Sequence, residues 1–238
     1  MSVEYVEYES NVDIRFAENV AWSDPDTECT VVLSQPDTDS ELWNRYLDAA
    51  QQSYRRHGVE AVVDAAAIRD GADTALFWTV LDRHDNMVGG LRAKAPLGCA
   101  EDSHAVMEWA ARPGLAMVRK MINDRVPFGV MEMKTAWVSD NRASQHAITH
   151  LLARTAYHAT SIMGVQFVMA TAAQHVLELW KSGGGVVAPI PATPYPDERY
   201  RTKMMWWDRR TMVNHSQPEQ ITKALHEIDQ ISTTLAAS

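Results

Sequence analysis

The sequence predicts an α/β chain built on a mixed, mostly antiparallel sheet with helices on both faces. Three observations carry that expectation. Residues 77–82 (FWTVLD) and 87–96 (MVGGLRAKAP) are apolar runs on either side of the turn residues Arg83-His84-Asp85-Asn86, and they read as a hairpin. Residues 129–138 (GVMEMKTAWV) alternate at period two, with Val130, Glu132, Lys134 and Ala136 on one face and Met131, Met133, Thr135 and Trp137 on the other. Residues 142–163 then carry Ile148, Leu151, Leu152, Thr155, Ala159 and Ile162 at helical spacing, stop at Gly164, and give way to the apolar run 165–171. A strand, a long helix and a strand in that order call for one parallel pair.

The remaining elements fall around these. Residues 1–29 are polar and acidic, with Asp24-Pro25-Asp26 near their end, and are expected to form an arm outside the core. Residues 30–34 (TVVLS) make a short strand. Ser40 offers an N-cap to a helix with Leu42, Tyr46, Leu47, Ala50 and Tyr54 on one stripe, and Arg55-Arg56-His57-Gly58 ends it with a basic turn and a glycine. A helical piece over 101–112 is broken by Pro113, which can open a second helix with Leu115, Val118 and Ile122. Residues 174–181 are a short helix stopped by Gly183-Gly184-Gly185, and 200–208 (YRTKMMWWD) are the last strand. Ser216 and Glu219 are spaced as a capping box for a C-terminal helix whose stripe is Ile221, Leu225, Ile228 and Leu235. The expected division is an arm over 1–29, one domain over 30–210 and a terminal helix within 211–238. The terminal stripe must be buried either on the chain's own sheet or against a second copy, which raises a homodimer as an expectation.

Composition narrows the partners. With 31 acidic against 22 basic residues the net charge is −9, which argues against nucleic-acid binding and against an anionic membrane surface. No run approaches the roughly eighteen apolar residues of a spanning helix. The first residues, MSVEYVEYES, lack the basic and apolar regions of a signal peptide, so a cytoplasmic location is expected. Two cysteines, Cys29 and Cys99, are too few for a disulfide scaffold or a zinc site. His146 and His150 stand four apart, yet no glutamate lies between them, and both sit opposite the apolar stripe; a solvated helix face is expected, and no metal.

Glu132 and Arg92 are charges set inside apolar strands, and each needs a reason to be there. Glu132 either takes a proton in a reaction or is a buried partner of Arg92 or Lys134. Arg92 either grips a carboxylate or is a solvated edge residue.

The order of elements resembles the Gcn5-related N-acyltransferase (GNAT) fold, and three segments resemble its N-acyl amino acid synthase and acyl-homoserine-lactone synthase branch. Val88-Gly89-Gly90-Leu91-Arg92 stands where that branch has Gly-x-Leu-Arg-Leu, with Asp73 ahead of the first hairpin strand. Glu132-Met133-Lys134-Thr135 stands for Glu-x-Ser-Arg, and Ala172-Ala173-Gln174-His175 through Trp180 to Gly184 matches the short helix and glycine corner. The resemblance spans residues 30–208 and implies a sheet splayed at a central cleft. It also implies acyl transfer from a thioester, on CoA or on an acyl carrier protein, to the amine of a small molecule such as an amino acid, with no permanently bound cofactor. It casts Glu132 as general base and Arg92, Asp73, Lys134 and Trp180 around the acceptor. Trp137, Val138, Arg142, Ser144, Gln145 and His175 would flank the donor. Three departures stand out. The glycines that cradle a pyrophosphate are absent from residues 139–146 (SDNRASQH), Thr135 replaces an arginine, and Trp180 replaces a tyrosine and has no hydroxyl to offer a thiolate. They favour a donor with one phosphate, or else a catalytically altered binding or regulatory protein of the same fold.

Overall fold

A computed structural model describes residues 14–140 and 142–237, the side chains of 142–144 excepted. A first hairpin, β1 (Val20–Asp24) and β2 (Cys29–Ser34), leads through helix α1 (Ser40–Arg56) to the second, β3 (Thr74–Leu81) and β4 (Met87–Lys94). Two short helices, α2 (His104–Glu108) and α3 (Leu115–Asn123), precede β5 (Val130–Val138). Helices α4 (Arg142–Ala153) and α5 (Thr155–Ile162) carry the chain to β6 (Phe167–Ala173). Helix α6 (Leu177–Lys181), the two-residue strands β7 (Val186–Val187) and β8 (Thr193–Pro194), β9 (Arg201–Asp208) and helix α7 (Pro218–Ala237) complete it. The sheet runs β1-β2-β3-β4-β5-β6-β9-β7, with β8 also on β9; β5 and β6 are parallel and the other pairs antiparallel. Among the described residues no helix is long and apolar enough to cross a membrane.

Both faces are covered. On one, Leu33, Trp78, Leu91, Met131 and Met133 pack under α4, α5 and α7. On the other, α1 sets Trp43, Tyr46 and Leu47 against Phe77, while α2 and α3 set Trp109, Val118 and Ile122 against Val130, Met169 and Trp206. The methionine and tryptophan runs of the strands are thus core filling.

The alternation expected along 129–138 holds only to Lys134. Between β4 and β5, Arg92 pairs with Lys134 and Gly90 with Trp137, so β5 carries one extra residue over that interval. Thr135 takes a left-handed backbone there, with φ of 54°, and the strand bulges. One extra residue inverts the faces. Trp137 consequently packs under α1, opposite Met131 and Met133, while Ala136 and Val138 join the cluster of those methionines.

Four further expectations are corrected. Residues 20–24, assigned to an acidic arm, are an edge strand whose Val20, Trp22 and Asp24 point inward. The single long helix over 142–163 is two, parted at Arg154. The Ser216 hydroxyl, expected as a cap, meets the Tyr157 hydroxyl at 2.6 Å and donates to the Met212 carbonyl instead. Finally, α7 buries Gln220, Ala224, Glu227 and Ile231 most deeply; of the expected stripe, Ile228 and Leu235 are half-buried against the core and Leu225 is 58% exposed.

That buried face explains the helix break. The Arg154 guanidinium donates to Glu227 at 2.7–3.0 Å, to Asp24 at 2.6 Å and to Gln220 at 3.2 Å, and His158 lies 3.0 Å from Glu227. Strand β1, the α4–α5 junction and α7 are stapled at one buried point, so α7 is bound to its own chain through this face. Burial alone would raise the Glu227 carboxyl, but His158 and then Arg154 outweigh it and hold it at about 2. A carboxyl lowered in the folded state stabilises above its unfolded value of 4.5 and loses that contribution as pH falls toward 2. Glu227→Gln should lower the unfolding free energy by about 3 kcal/mol at neutral pH, the scale for breaking a buried pair. Denaturant titrations should show the gap to wild type closing below the ordinary carboxylate range; a gap independent of pH would contradict the ion-pair account.

Candidate active site

The site starts from the bulge. A left-handed conformation is costly for a β-branched residue, and α1 supplies what holds it. The Tyr46 hydroxyl donates to the Thr135 carbonyl at 2.8 Å, and the Tyr54 hydroxyl to the Ala136 carbonyl at 3.0 Å. Gly90 makes room for this, since a Cβ there would lie 2.7 Å from the Trp78 carbonyl and 3.0 Å from the Tyr46 ring. Beyond the bulge the two parallel strands part. Their register runs from Val130 with Phe167 to Met133 with Ala170 and ends, although β5 continues to Val138 and β6 to Ala173.

At that fork the sheet face under α1 and α2 carries a linked polar group. Glu132 is fully buried; one carboxylate oxygen accepts the His104 backbone N–H at 2.9 Å, and the other, Oε1, has no partner among the described residues. Burial pushes its carboxyl upward, as does the charge of Glu108; the Lys134 charge and the His104 amide oppose them, and the net shift is up. The Lys134 ammonium donates to Glu108 Oε1 at 2.8 Å, and Thr171 of β6 donates to the same oxygen at 2.9 Å. Burial disfavours the Lys134 charge, but Glu108 and Glu132 outweigh it and raise its pKa. His104 Nε2 lies 2.8 Å from the Tyr195 hydroxyl. Desolvation, then Lys134, lower the ring to about 4, so it is neutral at physiological pH.

Beside this group, Arg92 donates to Asp73 at 2.6 Å and to the Thr74 hydroxyl at 2.8 Å, while its buried Nε has no partner among the described residues. Lys94 stands 3.6 Å from the other Asp73 oxygen. The Asp73 side chain is 41% exposed and forms the open end of this row. Its carboxyl, raised by burial, is brought below its usual value by Arg92.

Of the residues singled out by sequence, the fold brings Glu132, Lys134, Arg92 and Asp73 onto one sheet face. Glu132 pairs directly with neither Arg92 nor Lys134. Trp137 packs under α1, and Val138 packs on the opposite face. Gln145 is half-buried, and its carbonyl accepts from the Thr149 hydroxyl at 2.8 Å. The side chains of Arg142 and Ser144 lie outside the described residues. Trp180 packs against the larger core, and His175 lies exposed beside Tyr200, outside the linked group. His150 bonds the Ser182 hydroxyl at 2.8 Å. Among the described residues no group of three His, Cys, Asp or Glu side chains could hold a metal ion. Glu108, His104, Tyr195, Tyr54 and Thr171 were not legible as site residues. Glu108 falls in the helical piece over 101–112 with nothing local to set it apart, and Tyr54 falls on the apolar stripe of α1.

No protein-family model matches the sequence. Uncharacterized proteins of Mycobacterium tuberculosis and Mycobacterium bovis are each 50% identical over 233 residues, covering 94% of this chain and 89% of theirs. FeeM, an N-acyl amino acid synthase from uncultured soil microbes, superposes with a TM-score of 0.52 at 11% identity over 85% of this chain and 95% of its own. BjaI, a CoA-dependent acyl-homoserine lactone synthase solved with SAM and isopentyl-CoA, gives 0.53 at 15% identity over 83% and 88%. The AHL synthase LasI gives 0.54 at 10% identity over 80% and 98%. At these identities the likeness is one of fold. The chain belongs to one family with the uncharacterized mycobacterial proteins, and its fold is that of the Gcn5-related N-acyltransferases.

Proposed function

We propose that the protein is an acyltransferase that moves an acyl group from a thioester, on a carrier protein or on CoA, to the amine of a small molecule. The observation that carries this reading is the coincidence of the parted strands with a buried carboxylate whose second oxygen is unpartnered among the described residues. The amine nitrogen attacks the thioester carbonyl and its proton passes to Glu132, directly or through one water; the acyl carbon then releases sulfur. A carboxyl raised by burial is the stronger base for that step. The Lys134 ammonium, at the fork, suits the negative charge that grows on the carbonyl oxygen. Arg92 and Lys94, with Asp73 between them, suit an acceptor bearing both an ammonium and a carboxylate, as an amino acid does. On the β6 side, β5 from Lys134 to Val138 carries no ladder, which leaves backbone near Trp137 and Val138 for a pantetheine arm. A second reading, a binding or regulatory protein of this fold, is favoured by the full burial of Glu132 and the tight Lys134–Glu108 pair. Turnover of a panel of acyl thioesters separates the two.

Glu132→Gln keeps the shape and an oxygen for the His104 amide, so it should leave the fold intact and lower turnover by about a hundredfold. An unchanged rate would remove Glu132 from the chemistry, and a large fall in Tm would make it a structural group.

The donor preference follows from residues 139–146, which lack glycines where backbone would have to approach a pyrophosphate. Calorimetry should find acetyl-CoA weak or silent and a longer acyl chain on pantetheine or carrier protein better bound. Micromolar acetyl-CoA affinity would contradict this.

A further inference from the structure

Aminolysis of a thioester sets two proton problems. The attacking amine must lose a proton, and the departing sulfur must gain one when its thiol is as weakly acidic as an alkyl thiol. Glu132 answers only the first, and an answer to the second rests on the acyltransfer reading. Several neutral hydroxyls stand around the parted strands, and most are committed. Tyr46 and Tyr54 donate to the bulge carbonyls, and Thr171 donates to Glu108. Tyr195 is different. Its hydroxyl meets an ionisable ring, His104 Nε2 at 2.8 Å, and the His104 side chain is 26% exposed to solvent.

The pair sits at the fork. The His104 backbone N–H holds Glu132, and its ring nitrogen is 3.8 Å from the Glu108 oxygen that Lys134 and Thr171 share. Tyr195 is tied in place through its own backbone, where its carbonyl accepts the Thr202 hydroxyl at 2.8 Å and its N–H donates to the Tyr200 carbonyl at 3.1 Å.

We propose that Tyr195 is the general acid of this site, giving its phenolic proton to the leaving sulfur, and that His104 is the positioning residue that orients and recharges it. With His104 protonated at Nε2, the ring donates to the phenol oxygen and leaves the phenolic hydrogen free to turn toward the gap. As the nitrogen–carbon bond forms and the carbon–sulfur bond breaks, the bonding pair stays on sulfur and the Tyr195 proton joins it. The phenolate then takes the Nε2 proton of His104 while the ring takes one from solvent at Nδ1, and the proton left on Glu132 returns to solvent. A shift of the ring proton from Nδ1 back to Nε2 through solvent restores the starting tautomer. Thioester and amine become amide and thiol, and every group ends as it began. Burial raises the Tyr195 phenol, so it holds its proton until the thiolate forms, and the lowered His104 ring stays neutral.

The test varies the leaving group. The full chain and its Tyr195→Phe and His104→Gln variants are assayed with one acyl group on pantetheine and on thiophenol, whose thiolate is stable enough to leave unprotonated. Tyr195→Phe should cost about a hundredfold with the alkyl thioester and less than about threefold with the aryl one. His104→Gln, which retains a hydrogen-bond donor but no relay, should show the same asymmetry with a smaller loss of about tenfold. Equal losses on both thioesters, or no loss, would overturn the assignment while leaving acyl transfer standing. A wild-type protein that turns over neither thioester would overturn the acyltransfer reading and the role of Tyr195 with it.

Discussion

Two phenol groups on α1, those of Tyr46 and Tyr54, hold the carbonyls of Thr135 and Ala136, and these hydrogen bonds keep a left-handed β-branched residue inside a strand. Such a residue costs on the order of 1–3 kcal/mol, and two hydrogen bonds at about 1 kcal/mol each offset that cost. The rest of the site follows from this bulge. It inverts the faces of β5, so Trp137 can pack under the helix that carries the two tyrosines. It also coincides with the end of the β5–β6 ladder, leaving two strands side by side and unpaired from Lys134 and Thr171 onward. Gly90, across on β4, is what lets the Tyr46 ring come close enough.

Charge around the fork is shared unequally. Lys134 sits between Glu108 and Glu132, and one cation serves two buried carboxylates. Glu108 is satisfied by Lys134 and Thr171 at one oxygen, whereas Glu132 accepts from one backbone donor among the described residues. Each carboxylate keeps one buried oxygen without a partner among the described residues; they differ in that Glu108 anchors the lysine through its other oxygen, whereas Glu132 meets a backbone N–H there and its carboxyl is raised by burial. The second buried ion cluster, around Arg154, is satisfied by Glu227, Asp24 and Gln220. It stabilises the fold, and its carboxylates meet the guanidinium directly, whereas Glu132 has no cation in direct contact among the described residues.

Much of this was legible in the sequence where local period governs. The β3–β4 hairpin and the strand of Glu132 followed from patterns within about ten residues, and the parallel step to β6 from the order strand, long helix, strand. What escaped did so for definite physical reasons. The bulge at Thr135 has no compositional mark, so the face of Trp137 came out inverted. The edge strand at Val20 was hidden by the acidic residues around it, one of which, Asp24, is itself buried against Arg154. The register of α7 was misjudged because its buried face includes Gln220 and Glu227, polar residues that pack inward because an arginine meets them there. Glu108, His104 and Tyr195 reach the site from 26 to 91 positions away from their partners, and only the folded chain brings them together.

In the proposed reaction the acyl thioester lays its arm in the gap between β5 and β6. Amide hydrogen exchange across residues 134–138, with and without an unreactive thioether analogue of an acyl-pantetheine donor, tests that placement most directly. The analogue should slow exchange in this segment and in 171–173 opposite. Unchanged exchange at both, with the analogue shown to bind elsewhere on the protein, would contradict it.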